Sequence, residues 1–227
     1  MRRILLFFLS HRTLALLRWD LHFLNVRFWN FILQRHAAIN KFLYTDGKKY
    51  LNLGSGPRGI SSNEWLNIDG FKDTNVQFFC DFSRPIPIPN NCLDGIFTEH
   101  VIEHFDSEYG RRVMAECHRM LKKGGVIRII VPNGHRILKS YFEAPEKIVS
   151  YKNPNTGQPM EAVNMWFYQR YEHQCIYDAP FLIQTLKSIG FETAEESSFR
   201  NSVFSEQEML LDNSKYEWES LYVEAIK

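Results

Sequence analysis

The sequence predicts a domain of the α/β class, built around a largely parallel β-sheet. Three observations predict this class. Short apolar runs rich in β-branched and aromatic residues alternate with helical patterns, turn-forming residues separate these elements, and the 227 residues contain no internal repeat or low-complexity tract. A chain of this length suits one sizeable domain with a small appendage.

The first half of this domain is predicted to contain four strands. A turn at residues 45–47 precedes the first strand, KKYLNL, and the second and third strands are WLNID and VQFFCDF. The stretch RPIPIPNN is predicted to be an extended loop, because prolines supply no donors to a strand ladder. The fourth predicted strand is LDGIFTE.

The second half is predicted to contain two helices and two strands. One helix begins after Asp106 and Ser107, which can cap it, and ends at residues 122–125, where two lysines precede two glycines. The fifth strand follows as VIRIIVPN. A later helix, DAPFLIQTLKSIGF, is predicted to stop at Gly190, and the last strand is SLYVEAIK.

Residues 54–59 read GSGPRG, which fits the pattern G-x-G-x-x-G of dinucleotide-binding loops. Such a site needs a full helix after the glycines, because the helix N-terminus holds the pyrophosphate. Only five residues separate Gly59 from the second predicted strand, and Pro57 removes one backbone amide. The ribose-binding acid is retained as Asp69. The residues therefore favour a ligand with a ribose and no pyrophosphate, such as S-adenosylmethionine.

From about Lys48 to Lys227 the chain resembles the class I S-adenosylmethionine-dependent methyltransferases, in particular compact bacterial members often encoded near glycan biosynthesis genes. The resemblance rests on motifs in the family's order: LNLGSG, Asp69, Asp81 with Phe82, LDGIFTEHVIEHF, RMLKKGGVIRIIVPN and SLYVEAIK. It implies a Rossmann-like doubly wound sheet of about seven strands, the last one antiparallel. It also implies methyl transfer with S-adenosyl-L-methionine as the cofactor. The helices after the first three strands are shorter than is usual in the family.

The resemblance also implies which residues contact the cofactor. Asp69 would take the ribose hydroxyls, although an acid before Gly70 is also typical of a simple turn. Asp81 and Phe82 would lie against the adenine, and Glu99 with His100 would border the methionine end. The full implied set is Asn52, Gly54, Ser55, Gly56, Asp69, Gly70, Asp81, Phe82, Glu99 and His100.

The run HVIEH, from His100 to His104, supplies candidates for acid–base chemistry. It fits the zinc peptidase pattern H-x-x-E-H, but that site needs several turns of continuous helix, and here a strand precedes the run while a new helix begins just after it. A zinc hydrolase is therefore the remote alternative, and no metal site is predicted. The predicted catalytic histidines are His104, His173 and His100, with His135 as a further candidate base. Buried structural histidines are the competing interpretation.

The acceptor is predicted to be a small molecule or a glycan, methylated on a hydroxyl group. Residues 133–178 are the expected acceptor-binding or lid segment, because aromatic side chains cluster there and can stack on sugar rings or pack as a lid. These aromatic residues are Tyr141, Phe142, Tyr151, Trp166, Phe167, Tyr168 and Tyr171. A formal net charge of +1 gives no support for a nucleic-acid partner. A non-catalytic protein that binds S-adenosylmethionine, or a scaffold, is the alternative function.

Residues 1–44 are predicted to form a basic amphipathic helical extension to a domain of residues 45–227. The extension contains seven Lys or Arg and one acid, and its apolar run at residues 4–9 is too short to span a membrane. Apolar residues recur at helical spacing opposite Asp20, Arg27 and Gln34. The recurring residues are Leu14, Leu17, Leu21, Leu24, Phe28 and Phe31.

This apolar face is expected to pack on the domain or on a second subunit, or to lie on an anionic membrane; a targeting peptide is the third alternative. Removing the extension is expected to leave cofactor binding intact, since every cofactor motif begins at Lys48 or later. Four scattered cysteines without a C-x-x-C pair favour a reducing compartment. The expected location is the cytoplasm, either free or peripheral to the inner face of the membrane.

Overall fold

The computed structural model describes residues 10–32, 36–82, 84–169, 172–203 and 211–227, without the side chains of residues 11, 12, 15 and 16. The strands are β1 (Tyr50–Leu53), β2 (Trp65–Asp69), β3 (Phe78–Phe79), β4 (Leu93–Glu99), β5 (Leu121–Pro132), β6 (Thr193–Ser197) and β7 (Ser220–Ile226). The helices are α1 (His11–Ile32), α2 (His36–Tyr44), α3 (Ser107–Met120), α4 (Gly134–Glu143), α5 (Pro145–Lys152), α6 (Pro159–Phe167) and α7 (Ala179–Ile189).

The strands form one sheet of seven in the order β3-β2-β1-β4-β5-β7-β6. Neighbouring pairs from β3 to β5 are parallel, whereas β7 runs antiparallel to both β5 and β6. The predicted Rossmann-like sheet with an antiparallel last strand is therefore confirmed. The chain order reverses between β1 and β4, and parallel α/β sheets bind their ligands in the crevice at this point.

The parallel strands end level with one another at this crevice. Leu53 pairs with Ile68 of β2 on one side and with Thr98 of β4 on the other, so the residues after each strand meet at one edge. Every residue of β1 is buried, as the apolar run predicts for a strand covered on both faces. This covered core fixes the strand ends from which the candidate site extends.

Two predicted elements have boundaries that differ clearly from the structure. The third strand is reduced to Phe78–Phe79, so most of VQFFCDF is extended chain outside the ladder. Helix α3 ends at Met120, and residues 122–125 lie in β5 instead of closing the helix. A register shift separates the pair Leu93–Leu121 from the next pair, and Gly124 there has φ 78°. The two glycines thus lie at an irregularity in strand β5. Glycine is common both at such irregularities and at helix ends, so the sequence pattern did not distinguish the two.

The segment of residues 133–178 contains structure that the sequence patterns did not predict. Helices α4, α5 and α6 pack around a small apolar cluster of their own, separate from the main core. The buried members of this cluster are Ile137, Ile148, Ala162, Val163 and Trp166. Strand β6 was also missed, because its sequence TAEES is an exposed, mostly polar edge strand.

Helix α1 packs on the domain with a different face from the predicted one. Asn30 is buried and its amide donates to the carbonyl of Phe79 in the edge strand β3 (2.6 Å), and Val26 is buried beside it. The predicted apolar face is exposed, from 43% at Leu17 to 79% at Phe31. The packed face combines the apolar Val26 with Asn30, and Asn30 satisfies a backbone carbonyl of the edge strand.

Some sequence predictions lie outside the described residues. These are the apolar run at residues 4–9, Gln34 and Tyr171. Among the described helices, none has the length and apolar character needed to cross a membrane.

Candidate active site

Four chemically informative residues lie at the ends of the first four strands or just beyond them. Gly54 follows β1, Asp69 ends β2, Asp81 lies two residues beyond β3, and Glu99 ends β4. Because these strands are parallel neighbours, the four positions line one edge of the sheet at the crevice between β1 and β4. The sheet therefore brings together the principal cofactor residues that the sequence suggested.

The turn after β1 is built for glycine. Gly54 has φ 73°, and a Cβ atom there would lie 2.2 Å from Cγ2 of Val101. Gly56 has φ 49°, and its amide donates to Oδ2 of Asp69 at 2.9 Å. A single 3₁₀ turn at Gly56–Arg58 leads on towards β2, so the predicted lack of a full helix after the glycines is confirmed.

Asp69 holds this turn and keeps spare acceptor capacity. Its Oδ1 accepts from the amide of Phe71 at 2.9 Å, which is the local contact of an Asp-Gly turn. Each carboxylate oxygen has about two lone pairs, so both can accept a further hydrogen bond. The side chain is partly exposed at the sheet edge. The turn contacts and a ribose contact are therefore compatible.

The glycine turn is covered by a segment distant in sequence. Arg58 forms an ion pair with Glu99 and donates to the carbonyl of Leu211 at 3.0 Å. Glu99 accepts from the amide of Asn213 at 2.9 Å. Together with the turn itself, these residues enclose a small cavity beside Gly54. No sequence pattern marked Arg58 and residues 211–213 as candidate site residues, because no local pattern relates positions so far apart.

A buried ion pair holds this covering segment. Arg128 in β5 is 1% exposed and makes two hydrogen bonds to Asp212, Nε to Oδ1 at 2.9 Å and Nη2 to Oδ2 at 2.6 Å. It also donates to Glu224 at 2.8 Å. A buried guanidinium is stable only with such partners. An arginine inside the β-branched run VIRIIVPN is the signal from which this pair could have been suspected.

Helix α1 contacts the ends of β2 and β3. Arg27 pairs with Asp81, and His22 Nε2 lies 2.7 Å from the carbonyl of Gly70. Phe71 stacks on the ring of His22 with centroids 4.8 Å apart. The extension thus touches two residues of the implied cofactor set. These contacts argue against the expectation that removing the extension leaves cofactor binding intact, and that expectation stays a prediction.

The histidines predicted as catalytic surround one buried acid. Glu103 is fully buried; its Oε1 lies 3.0 Å from Nδ1 of His100 and 4.0 Å from Nε2 of His173. The ring centroids of His104 and His173 are 4.9 Å apart. The sheet and the segment after α6 therefore unite three histidines from two distant parts of the chain. His135 is exposed elsewhere.

The charges in this cluster are set by burial and by neighbours. Burial opposes the charge on Glu103, but the hydrogen bond from His100 and the surrounding histidines together bring its pKa below the usual value. Burial lowers the pKa of His173, although Glu103 acts in the opposite direction. At neutral pH the cluster therefore combines a carboxylate with a neutral His173. Residues Ile102–His104 form one 3₁₀ turn, so the continuous helix of a zinc peptidase is absent from this described part of the chain.

A groove of about 460 Å³ lies between α4 and the start of α7. Its walls include His135, Phe142 and Phe181, the last two exposed by 79% and 42%. Residues 174–178 connect it to the histidine cluster, because the Gln174 amide donates to the Glu103 carbonyl at 2.8 Å and the chain then passes into the groove. Trp166, by contrast, is buried inside the helical cluster. The aromatic residues of this segment are thus divided between a packed core and an open groove.

The sheet order with an antiparallel seventh strand, and a glycine turn at the β1–β4 switch point, define the class I S-adenosylmethionine-dependent methyltransferase fold. Residues 61–129 match the family described as methyltransferase domain. The chain thus contains an S-adenosylmethionine-dependent methyltransferase domain, and S-adenosyl-L-methionine is the methyl donor of this family.

The chain is similar to several solved structures at low identity. An Archaeoglobus fulgidus SAM-dependent methyltransferase is 16% identical, covering 86% of this chain and 92% of that one with a TM-score of 0.48. The methyltransferase in a Haloferax volcanii complex with the activator Trm112 is 12% identical, and the match covers 84% of this chain and 88% of that one with a TM-score of 0.49. A Thermotoga maritima SAM-dependent methyltransferase is 13% identical, and the match covers 88% of this chain and 93% of that one with a TM-score of 0.48. No curated protein matches the sequence. These similarities are too low to carry a substrate or partner over to this chain.

Proposed function

We propose that this chain transfers the methyl group of S-adenosyl-L-methionine to a hydroxyl group of a small molecule or glycan. The observation that carries the proposal is the convergence of Gly54 and Asp69 at the switch point of the sheet, beside the buried histidine cluster. The first two form a cradle for a nucleoside, and the histidines supply groups that handle a proton.

The residues present fit the cofactor. Gly54 lets Val101 pack against the turn, and Gly56 has nothing within 4 Å of an added Cβ, so the backbone at Gly56 is open to a ligand. Asp69 has lone pairs for two ribose hydroxyls. We assign the adenine end to Asp81 and Phe82 and the methionine end to Glu99 and His100, in the order in which the strand ends lie along the sheet. The remaining contacts are assigned to Asn52, Ser55, Gly56 and Gly70.

The protein's contribution to the reaction is chiefly orientation. When bound, S-adenosyl-L-methionine supplies an electrophilic methyl group whose leaving group is a neutral thioether. Holding the acceptor oxygen in line can contribute about 7–11 kcal/mol to lowering the barrier. A hydroxyl acceptor also loses a proton, and a positioned base contributes roughly 10²–10⁴ in rate. We assign this proton to the histidines around Glu103, of which His104 is half-buried and His173 is buried.

We assign the acceptor to residues 133–178. The groove between α4 and α7 presents Phe142 and Phe181 to solvent, and aromatic faces of this kind can stack on the apolar faces of sugar rings. Asp178 and Lys139 lie in the same groove and can bind hydroxyl groups. The combination of flat apolar surfaces with a few polar groups favours a glycan or a glycan-like small molecule.

Transfer is tested by incubating the chain with methyl-labelled S-adenosyl-L-methionine and extracts of glycans and lipids. We expect S-adenosylhomocysteine to form only when acceptor is present, with one labelled methyl group gained by a glycan-containing product. Cofactor binding without consumption across such a panel would instead favour a non-catalytic binding protein. A labelled amine or carbon product would contradict the hydroxyl assignment alone.

We further propose that the exposed face of α1 lies on an anionic membrane surface, at the cytoplasmic side. The opposite face is held by the domain through Val26 and Asn30, so the apolar face is presented outwards. Its members are Leu17, Leu21, Leu24, Phe28 and Phe31. The excess of basic residues in positions 1–44 complements anionic lipid, at about 1 kcal/mol for each basic residue near the surface.

A further inference from the structure

Three side chains near the carboxyl ends of the parallel strands form a compact set of potential metal ligands. One ligand atom from each of Glu103, His104 and His173 lies within 4.8 Å of the other two. Glu103 and His173 are buried, and His104 is half-buried at the surface of the cluster. The ligands come from the turn after β4 and from the segment after α6, so the fold and not one local motif assembles them.

The two histidines are oriented as metal ligands are. Nδ1 of His173 lies 2.5 Å from the carbonyl of Trp166, and Nδ1 of His104 lies 3.1 Å from the carbonyl of Glu172. A carbonyl only accepts, so each Nδ1 carries the proton and donates. In the neutral ring the other nitrogen, Nε2, is then unprotonated. Metal-binding histidines are usually fixed in this way, with one N–H given to a carbonyl and one lone pair given to the metal.

The buried acid in this cluster lacks a full set of partners. Oε2 of Glu103 is buried and has no hydrogen-bond partner within the described chain. His100 satisfies only Oε1. Nε2 of His173 lies 4.0 Å from that same Oε1, so a ring nitrogen and a carboxylate oxygen converge without a hydrogen bond between them. An unsatisfied buried carboxylate is costly, so the arrangement favours a cation in the space between these atoms.

We infer that Glu103, His104 and His173 bind one divalent transition-metal cation. Two imidazoles and one carboxylate suit Zn²⁺, Mn²⁺ or Co²⁺, whereas Mg²⁺ and Ca²⁺ prefer oxygen ligands. Three protein ligands leave a coordination position for an external oxygen. Metal binding and proton acceptance use the same nitrogen atoms, so a loaded cation would take over the role assigned above to these histidines. Binding itself does not depend on methyl transfer.

The sequence predicted no metal site, because its H-x-x-E-H pattern pairs His104 with His100 and not with His173. In H-x-x-E-H the two histidines bind metal together, but His100 uses Nδ1 for Glu103 and places Nε2 3.0 Å from Ser220. His173 takes the place of His100 as the second nitrogen ligand. It lies 69 positions after His104, beyond the reach of any local pattern.

The test is a titration of the chelator-treated full chain with Co²⁺, followed by its visible absorption, with Zn²⁺ as the competitor. We expect saturation at one Co²⁺ per chain and displacement by Zn²⁺. His104→Ala should weaken Co²⁺ binding at least roughly tenfold. The matched control is His118→Ala, because His118 is also half-exposed and bonded to a carbonyl, at Gly190, but lies outside the cluster. This variant should bind Co²⁺ as the unmodified chain does.

A second variant and a measurement on the unmodified chain complete the test. Glu103→Gln keeps the size of the side chain and should also lose Co²⁺ binding, with circular dichroism reporting whether it folds. In the unmodified chain, Zn²⁺ should slow modification of His104 by diethyl pyrocarbonate, measured on its peptide. Absence of saturable Co²⁺ binding, or equal binding by His104→Ala, would overturn the inference. Either result would leave cofactor binding and methyl transfer to be judged separately.

Discussion

Arg27 in helix α1 donates a hydrogen bond from Nη1 to Oδ2 of Asp81 at 2.5 Å, although the two residues are 54 positions apart. The Asp81 side chain is 5% exposed and that of Arg27 is 37% exposed. Asp81 follows the short strand β3, where the adenine end of the cofactor is assigned. The N-terminal extension therefore forms part of the wall of the proposed cofactor site.

This contact predicts that the extension supports cofactor binding. Arg27→Ala should weaken the affinity for S-adenosylhomocysteine about fivefold, because about 1 kcal/mol of charge-assisted hydrogen bonding no longer orients Asp81. Isothermal titration calorimetry measures the change. Arg18→Ala is the control, since Arg18 is exposed on the same helix. Equal affinities for Arg27→Ala and the unmodified chain would show that Asp81 needs no support from α1.

The glycine turn predicts a large difference between two glycines of similar φ. Gly54→Ala should destabilise the fold by about 2–6 kcal/mol, because strain at positive φ adds to a clash with Val101. Gly124→Ala has φ 78° but open space around the added Cβ, so strain alone should cost about 1–3 kcal/mol. Urea denaturation compares the two. Adding Val101→Ala should recover part of the loss in Gly54→Ala, and failure to do so would contradict the clash.

The buried pair of Arg128 and Asp212 predicts a strong effect on stability from a residue that is distant in sequence from the cofactor motifs. Asp212→Ala should reduce the free energy of unfolding by about 3–5 kcal/mol, because it leaves a buried guanidinium without its principal partner. Glu108→Ala breaks an exposed pair with Arg112 and should cost at most about 1 kcal/mol. Thermal or urea denaturation gives both values. A loss of 1 kcal/mol or less, as for the surface pair, would argue against a structural role for Asp212.

The exposed face of α1 predicts salt-dependent binding to anionic vesicles. The full chain should sediment with phosphatidylserine vesicles at low ionic strength and be released as salt rises, because screening shortens the electrostatic range to about 10 Å at 0.1 M. The double variant Leu24→Glu, Phe28→Glu should lose this binding, whereas Val203→Glu, at another exposed apolar residue, should keep it. Absence of sedimentation at low salt, or a dimer that the double variant dissociates, would contradict the membrane proposal.

Local sequence patterns predicted the parallel core because its buried strands can be recognised from their apolar composition. The runs LNL, LNID and LDGIFTE are buried along nearly their whole length, so composition alone marks them. Counting residues after Gly59 also predicted the missing helix, since chain length limits what a short link can form. Burial on both faces and a short link are properties of a few neighbouring residues.

The remaining features depend on contacts between distant residues. Helix α1 has apolar side chains on two sides, and only the position of the β3 edge decides that Asn30 and not Phe31 faces the domain. Long-range packing also brings Glu103 close to His173. It likewise forms the ion pair between Arg58 and Glu99. No periodicity in the sequence predicts which distant residues come into contact.

Binding of S-adenosylhomocysteine to the full chain, measured by calorimetry beside NAD, tests the central proposal most directly. We expect one molecule of S-adenosylhomocysteine to bind per chain and NAD not to bind. Asp69→Ala should weaken binding by about 10–100-fold through lost charge-assisted hydrogen bonds, and Asp69→Asn should lose less because it keeps one acceptor. Asp73→Ala, in the loop that follows, is the control. Binding of NAD without S-adenosylhomocysteine, or unchanged affinity in Asp69→Ala, would contradict the account of this site.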